Sequence, residues 1–467
     1  MLVVPLIWTA CVRFQDRPIS AEQRAEQLEQ RTLSDPKLKL LLEHNLQRTM
    51  AAWPPPRWDF EMLTLAAFFF HPELEVARAE SNQASAQIIT AGARPNPTIA
   101  VTPEYDFTPP AGLSPWLPAV QFDFPIETAG KRGHRIAKAQ QLAQVARLNI
   151  AATAWRIRSN TRSNLLAMSR AVQRETLFAR QLEVQEQAVR RLQQRLEAGA
   201  VSRAEISPAI VLRERARLDL NQARSLVTES RIAIAESLGL PAQSLAGITF
   251  DLNSVVPAAD RLPFLTSAEA RRRALTGRTD ILMALAEHAA AQAALQVEVA
   301  RQYPDVHLGT GYQWDQGDNK WSIGLGTEIP LLNRNRGPVA EAEAHRALTA
   351  AQFTAVQARI LGEIDRALSE YRAAQDQLTN ASAVLKSQQD QEQAVRAQVQ
   401  AGAAENLDLL AVQFELAAAE LTTIEASAKV QQALGALEDT LQQPLPFLSS
   451  QELNAALEPS PTRVPSR

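Results

Sequence analysis

The stretch LEAGAVS at residues 196–202 and the similar stretch VQAGAAE at residues 399–405 determine the architecture predicted for this chain. In both places 42 residues separate the glycine from the proline that ends the following helical pattern, Pro241 or Pro444. A long run rich in Ala, Gln, Glu, Arg and Leu precedes each glycine, which is typical of long, closely packed helices. The sequence therefore predicts two helical hairpins, each turning at a glycine.

The repetition extends upstream of both hairpins. Segments 97–125 and 304–330 each enclose two short alternating stretches, and 74 or 72 residues separate them from the glycine of the hairpin. A unit of this length is not a solenoid repeat, since those run about 20–50 residues. We therefore predict a duplicated half-molecule, with an extended N-terminal segment at 12–58, a first repeat at 59–241, a linker at 242–266, a second repeat at 267–444 and a disordered tail at 445–467.

Composition excludes several classes of function. With 48 Lys and Arg against 51 Asp and Glu, the net charge of −3 gives no electrostatic case for binding nucleic acid. No run of about 18 apolar residues predicts a membrane-spanning helix. The histidines form no close ligand pattern with acids or cysteine, so we expect no enzyme activity, no cofactor and no resident metal. The six histidines are His44, His71, His134, His288, His307 and His345.

The only cysteine is Cys11, so an internal disulfide is excluded. Residues 1–11 resemble the end of a bacterial lipoprotein signal peptide, because an apolar stretch ends in small residues immediately before the cysteine. Trp8 replaces the usual leucine, and no basic segment precedes the apolar stretch. We expect Cys11 to be the lipid-bearing residue. The alternative is a buried, unreactive cysteine.

Four segments change from the helical period to a period of two, which predicts strands at about 98–107, 117–125, 305–314 and 320–330. In the first of them Ile99, Val101 and Tyr105 share one face, and small or polar residues occupy the other. Each segment is close to the roughly 9–11 residues that a tilted strand needs to cross a bilayer.

Four such strands cannot close a barrel alone, and open strand edges are not tolerated in lipid. Single-chain barrels start at about eight strands, so copies of this chain would have to share one. Three copies would supply twelve strands, and the helices, about 100 Å long at 1.5 Å per residue, would continue the wall. The alternative is a half-buried antiparallel sheet beside a coiled coil.

Short motifs in a fixed order carry a family resemblance. The sequence reads ARPNP at 93–97 before the first strand, FPIE at 124–127 after the second, and GKR at 130–132 at the start of the long helix. With the two AGA turns, this order resembles the TolC-type outer-membrane efflux channels from about Trp58 to Pro444. It is most similar to the metal-efflux (CzcC-like) branch.

The resemblance implies a mainly α fold with a small transmembrane β part, in a homotrimer that shares a 12-stranded β-barrel continued by an α-helical barrel. It also implies a passive exit duct for metal ions or small toxic compounds in the outer membrane of a Gram-negative bacterium, with the helical tunnel in the periplasm. Its partners would be a periplasmic adaptor (membrane fusion) protein and an inner-membrane pump of the RND type. The alternative is a soluble periplasmic or cytosolic coiled-coil scaffold without channel activity.

By the same resemblance, the hairpin tips at about 198–204 and 401–406 meet the adaptor and close the tunnel at rest. The adaptor-contact residues would be Gly199, Ser202, Gly402 and Glu405. A tight helical hairpin favours glycine in its turn for conformational reasons alone, so the glycines by themselves do not indicate contact with an adaptor.

Candidate gate residues follow the tips. An acid lies six residues after each glycine, at Glu205 and Asp408. In the family, acidic rings near this level constrict the entrance; Asp408 matches the first such position, while Ala411 replaces the second acid. Three Asp408 carboxylates would raise the local concentration of cations. The alternative for both acids is a solvated residue that complements a helix dipole.

Overall fold

The computed structural model describes residues 14–255 and 262–442. Cys11 and the tail at 445–467 lie outside the described residues. The helices are α1 (Ala21–Glu29), α2 (Pro36–Leu46), α3 (Phe60–Phe70), α4 (Pro72–Ala91), α5 (Lys131–Glu197), α6 (Arg203–Leu238), α7 (Leu262–Leu265), α8 (Ala268–Gly277), α9 (Thr279–Ala300), α10 (Arg336–Gln400) and α11 (Asn406–Leu441). The strands are β1 (Arg57–Trp58), β2 (Thr98–Tyr105), β3 (Trp116–Ile126), β4 (Thr249–Phe250), β5 (Val306–Asp315) and β6 (Asp318–Thr327).

Two long helical hairpins, α5–α6 and α10–α11, dominate the molecule. The first helices of the pairs contain 67 and 65 residues, which corresponds to about 100 Å each at 1.5 Å per residue. Shorter helices precede them, and these break at His71 and Arg278 rather than running through. His71 ends α3 because Pro72 cannot donate a backbone hydrogen bond and disfavours helical geometry in the residue before it.

The main sheet has the antiparallel order β2-β3-β5-β6, so β3 of the first half pairs with β5 of the second. Register confirms the predicted alternation. One row across all four strands contains Val101, Val120, Tyr312 and Trp321, and the adjacent row contains Ala100, Gln121, Gly311 and Ser322. Because successive residues point to opposite faces, one side of the sheet is apolar and the other is small or polar.

The strand bounds differ from the predicted ones at two turns. β6 begins at Asp318 because Gln316 and Gly317, with φ of 50° and 112°, form a two-residue hairpin turn directly after β5. β2 ends at Tyr105, and the Asp106 side chain accepts a hydrogen bond from the Thr108 backbone N–H at 2.8 Å, which starts the loop.

The prediction of an extended segment at 12–58 was wrong. Helices α1 and α2 lie there, with Ser20 and Asp35 as N-caps, and Pro36 occupies the first turn of α2. Leu38 and Leu42 of α2 are fully buried. Their four-residue spacing places both on one helical face, which packs into the core and holds the segment in place.

The two largest hydrophobic clusters of the described residues lie at the same level of the two hairpins. The first surrounds α3, whose residues are buried on nearly all sides by α2, α4, α5 and α6. The second joins α8, α10 and α11. The predicted linker at 242–266 contributes to the first cluster, because β4 pairs in parallel with β1 and buries Phe250.

Each repeat also contains an ion pair between its long helix and the helix that precedes its strands. Arg156 of α5 pairs with Glu73 of α4, and Arg359 of α10 pairs with Asp280 of α9 at 3.0 Å. Burial favours protonation of Asp280, but Arg278 and Arg359 outweigh it and hold the pKa of its carboxyl below the ordinary value. The repeats therefore agree in specific contacts as well as in element order.

Replacing Gly239, which ends α6, by alanine should lower the free energy of unfolding by about 2–3 kcal/mol. Its φ is +71°, and an added Cβ would lie 2.9 Å from the carbonyl oxygen of Phe70, a backbone atom that cannot rotate away. Gly247 is a matched control, because its φ is +76° but nothing lies within 4 Å of an added Cβ. Urea unfolding of the detergent-purified variants measures both, and equal losses would show that the close approach to Phe70 contributes nothing.

Candidate functional site

The two hairpin tips have the same backbone geometry. Gly199 and Gly402 each have φ of +74°, a left-handed conformation that favours glycine. Ala200 N–H donates to the Arg195 carbonyl and Ala403 N–H donates to the Gln398 carbonyl, both at 2.8 Å, which closes the preceding helix. An added Cβ would meet nothing within 4 Å at either glycine. Backbone conformation alone therefore requires glycine in the isolated protomer.

Both candidate gate acids lie in the first turn of the helix that follows the tip. The Glu205 carboxylate accepts a hydrogen bond from the Ser202 hydroxyl at 2.9 Å, and Asp408 accepts from the Glu405 backbone N–H at 3.0 Å. Each forms part of a capping box, the arrangement that satisfies free N–H groups at a helix start. Both side chains are exposed. Within one protomer their contacts are those of helix-capping residues.

A groove of about 270 Å³ lies between the two tips, where α5 approaches α11. Arg191, Arg195 and Arg396 line it together with Glu405, one of the predicted adaptor-contact residues. Leu409 and Leu410 supply its apolar wall. The groove therefore combines positive charge with apolar surface, and it joins the ends of the two hairpins.

The sheet exposes its apolar face at the other end of the molecule. Ile323 is 81% exposed, and apolar side chains of β2, β3 and β6 on the same face are also exposed, whereas those of β5 are half-buried. The opposite face carries four glycines, a hydrogen bond between His307 Nδ1 and Asp123 Oδ2 at 2.9 Å, and an ion pair between Lys320 and Asp315. One edge of β2 and one edge of β6 lack a partner strand in the described sheet.

Sequence reasoning missed a buried charged cluster between the hairpins. Arg158 and Arg162 of α5 contact Glu438 and Asp439 of α11, and both guanidinium groups lie over the Phe60 ring of α3. The available signal was a pair of arginines four residues apart, which places both on one helical face. Nothing in the sequence indicated that the partner helix would come from the other repeat.

Across the described ranges, no His, Cys, Asp or Glu residues form a group of three or more that is arranged to hold a metal ion. His134 and His345 follow equivalent strand pairs, and His345 lines a cavity between α4, α5, α9 and α10. None of the described helices is both long enough and apolar enough to cross a membrane.

Solved structures share this fold. The outer membrane protein VceC of Vibrio cholerae matches with a TM-score of 0.67 at 19% identity, covering 82% of this chain and 95% of VceC. CusC matches with a TM-score of 0.67 at 18% identity, covering 85% and 95%. The open-state channel MtrE of Neisseria gonorrhoeae matches with a TM-score of 0.65 at 16% identity, covering 82% and 88%. The predicted mainly α fold with long helical hairpins is confirmed.

A sequence relative and a family model support the same assignment. The cobalt-zinc-cadmium resistance protein CzcC of Cupriavidus metallidurans is 26% identical over 266 residues, or 56% of this chain. The alignment spans 61% of the length of CzcC. A family model described as outer membrane efflux protein matches residues 70–240 and again residues 270–441. These similarities confirm the predicted resemblance, and because the family model covers most of both halves, the chain belongs to the outer membrane efflux protein family.

Proposed function

We propose that this chain is one subunit of a passive trimeric duct in the outer membrane of a Gram-negative bacterium. The observation that carries the proposal is the four-stranded sheet, which has two unpaired edges and one exposed apolar face. Strand edges must be paired inside lipid, so a sheet of this kind enters a membrane only as part of a closed barrel. Three copies would supply twelve strands, an even number within the range of outer-membrane barrels.

The small and polar face of the sheet would then line the lumen, and α5, α6, α10 and α11 would continue the wall as a tunnel in the periplasm. The hairpin tips would meet a periplasmic adaptor protein through Gly199, Ser202, Gly402 and Glu405, and an RND-type inner-membrane pump would supply the energy. Similarity to a cobalt-zinc-cadmium resistance protein supports metal ions as cargo, with small toxic compounds as the second class. Cys11 would anchor the chain through a lipid.

The first test is the subunit count of the protein extracted from outer membranes in mild detergent, followed by conductance in planar bilayers. We expect a stable trimer that conducts ions. A monomer or dimer that is recovered without detergent and conducts nothing would overturn the duct and favour the coiled-coil scaffold.

We further propose that Asp408 contributes to the gate, with Glu205 as the weaker candidate. Replacing Asp408 by asparagine should raise the leak conductance or reduce the preference for cations, because three negative charges leave the entrance. Asparagine also accepts hydrogen bonds at a helix start, so the contact to Glu405 N–H is retained and stability should change little. Ion selectivity is measured from reversal potentials in a salt gradient.

The matched variant Glu205→Gln removes the equivalent charge from the first hairpin and tests whether position or charge alone matters. If Asp408→Asn has the same single-channel conductance and reversal potential as the unchanged protein, Asp408 is not part of the gate. It is then only a capping residue.

A further inference from the structure

The charged residues of the main sheet all lie on one face. Successive residues of a strand alternate between the faces, and the register places every acid and base of β2, β3, β5 and β6 on the face that carries the glycines. Acids outnumber bases there by four to one, so this face is negative and attracts cations. Its charged residues are Glu104, Asp123, Asp315, Asp318 and Lys320, and the one histidine of these strands, His307, lies on the same face.

His307 contacts an acid of the neighbouring strand. Its Nδ1 lies 2.9 Å from Oδ2 of Asp123, and the two side chains are 47% and 41% exposed. A carboxylate accepts hydrogen bonds but does not donate them, so Nδ1–H is the donor. In the neutral imidazole the lone pair is then on Nε2, the other ring nitrogen. Asp123 therefore selects the tautomer of His307 that can bind a metal ion through Nε2.

A second acid, Asp305, lies two residues before His307, but its charge is already compensated. Asp305 Oδ1 accepts from Lys131 Nζ at 2.7 Å and from the Thr128 backbone N–H at 2.9 Å. These contacts tie the start of β5 to the start of α5, and they pair the charge of Lys131. A cation at His307 consequently meets the charge of Asp123 and no unpaired charge from Lys131.

Small residues leave open space beside the imidazole. The partner of His307 on β6 is Gly326, and the next row on this face joins Gly309 to Gly324. An added Cβ at Gly326 would lie 3.7 Å from the Cβ of His307, and one at Gly324 would meet nothing within 4 Å. A cavity of about 510 Å³ on this part of the sheet is lined by His307, Asp123 and these glycines. A hydrated ion therefore has room to approach the ring.

The other repeat shows that the sheet does not need a histidine at this position. His307 is the third residue after the proline that precedes its strand pair, and Ala100 is the third residue after the corresponding proline of the first repeat. Ala100 pairs with Gln121 as His307 pairs with Gly326. Alanine is thus sufficient for the strand, so the imidazole contributes something other than sheet geometry.

We propose that His307, oriented by Asp123, is a contact site for divalent transition-metal ions in the lumen of the duct. This inference rests on the proposed trimeric duct, and it narrows the cargo to ions that bind imidazole, such as Zn²⁺. The threefold symmetry of the proposed duct would place three such imidazoles at one level of the lumen.

The contact is suited to passage rather than storage. The described residues contain no group of three or more His, Cys, Asp or Glu that could hold a metal ion, so each protomer supplies one imidazole and water completes the coordination of the ion. Conduction requires a site that binds an ion and also releases it. A single protein ligand meets both requirements.

The reversal potential of the channel in a potassium chloride gradient, measured with and without zinc chloride, tests the site. A zinc ion bound beside Asp123 adds positive charge to the lumen, so zinc should reduce the preference of the unchanged protein for potassium. Magnesium chloride at the same concentration is the control, because Mg²⁺ prefers oxygen ligands and gives up its water reluctantly. An equal effect of magnesium would overturn the proposal, since the acids alone would then hold the cations.

Two variants separate the ligand from the residue that positions it. His307→Gln removes the ring nitrogens but keeps an N–H that can donate to Asp123, and it should raise the zinc concentration for the half-maximal effect at least tenfold. Asp123→Asn keeps an acceptor for Nδ1–H but removes the charge that makes the imidazole a stronger ligand, so we expect a rise of about tenfold. His44→Gln, on α2 outside the sheet, should respond like the unchanged protein. An unshifted zinc response of His307→Gln contradicts the proposed site.

Titration calorimetry with zinc chloride tests the site without channel activity. The detergent-purified unchanged protein should bind more zinc per chain than His307→Gln, and identical titrations of the two proteins would overturn the assignment of His307. Conductance of the unchanged protein in the absence of zinc tests the duct itself. Failure of the duct and failure of the metal contact are therefore distinguishable.

Discussion

Replacing Glu438 by glutamine should lower the free energy of unfolding by about 3 kcal/mol, the largest loss that we expect from any single exchange in the helical part. The neutral amide leaves Arg158 and Arg162 with only Asp439 as an acid, and neither guanidinium can reach water. Arg158 also lies over the Phe60 ring at 4.9 Å, so it cannot rotate outward without leaving the core. Urea unfolding in detergent measures the loss.

Glu425→Gln is the matched control, because it removes the same charge from the more exposed contact of Glu425 with Arg170 and Arg174. Exposed ion pairs contribute about 0–1 kcal/mol, so this variant should unfold close to the unchanged protein. Similar losses in the two variants would show that burial adds nothing to the contact of Glu438.

A triple exchange tests whether the buried charges themselves stabilise the folded protein. Replacing Arg158 and Arg162 by methionine and Glu438 by leucine removes the buried charges together, and such replacements are often neutral or stabilising. We therefore expect the triple variant to unfold at a higher urea concentration than Glu438→Gln.

The sequence was sufficient for the features that local patterns determine. The hairpin turns follow from AGA motifs after long helical stretches, and the strands follow from a period of two, so both were predicted close to their observed places. Helices α1 and α2 were missed because prolines around them were interpreted as signs of an extended segment. The caps Ser20 and Asp35 and the spacing of Leu38 and Leu42 were the stronger local signals.

Local sequence patterns could not predict the contacts between the repeats. Pairing of β3 with β5 joins residues that lie about as far apart in sequence as the two repeats, and the contact of Arg162 with Glu438 joins residues 276 positions apart. The gate residues pose a different difficulty. A capping acid and a gate acid occupy the same position after a helical turn, and the hydrogen bonds of Glu205 and Asp408 in one protomer fit the capping role. Only a measurement on the assembled channel separates the two roles.

Replacing Ile323 by lysine should prevent most of the protein from assembling in the outer membrane. In the proposed barrel Ile323 faces lipid from the edge strand β6, and a lysine at the midplane costs about 2–4 kcal/mol per copy. Three copies in a trimer multiply that cost. The measured quantity is the fraction of the chain recovered as a trimer from outer membranes, which should fall at least tenfold.

The neighbouring exchange Ser322→Lys adds the same charge to the same strand but on the opposite face, because successive residues of a strand alternate. In the proposed barrel that face lines the water-filled lumen, where a lysine keeps its hydration. We expect Ser322→Lys to assemble like the unchanged protein and to reduce the preference of the channel for cations. Equal assembly of the two variants would contradict a lipid-facing apolar surface, and the exposed row of Ile323 would then have to be covered by protein rather than by membrane.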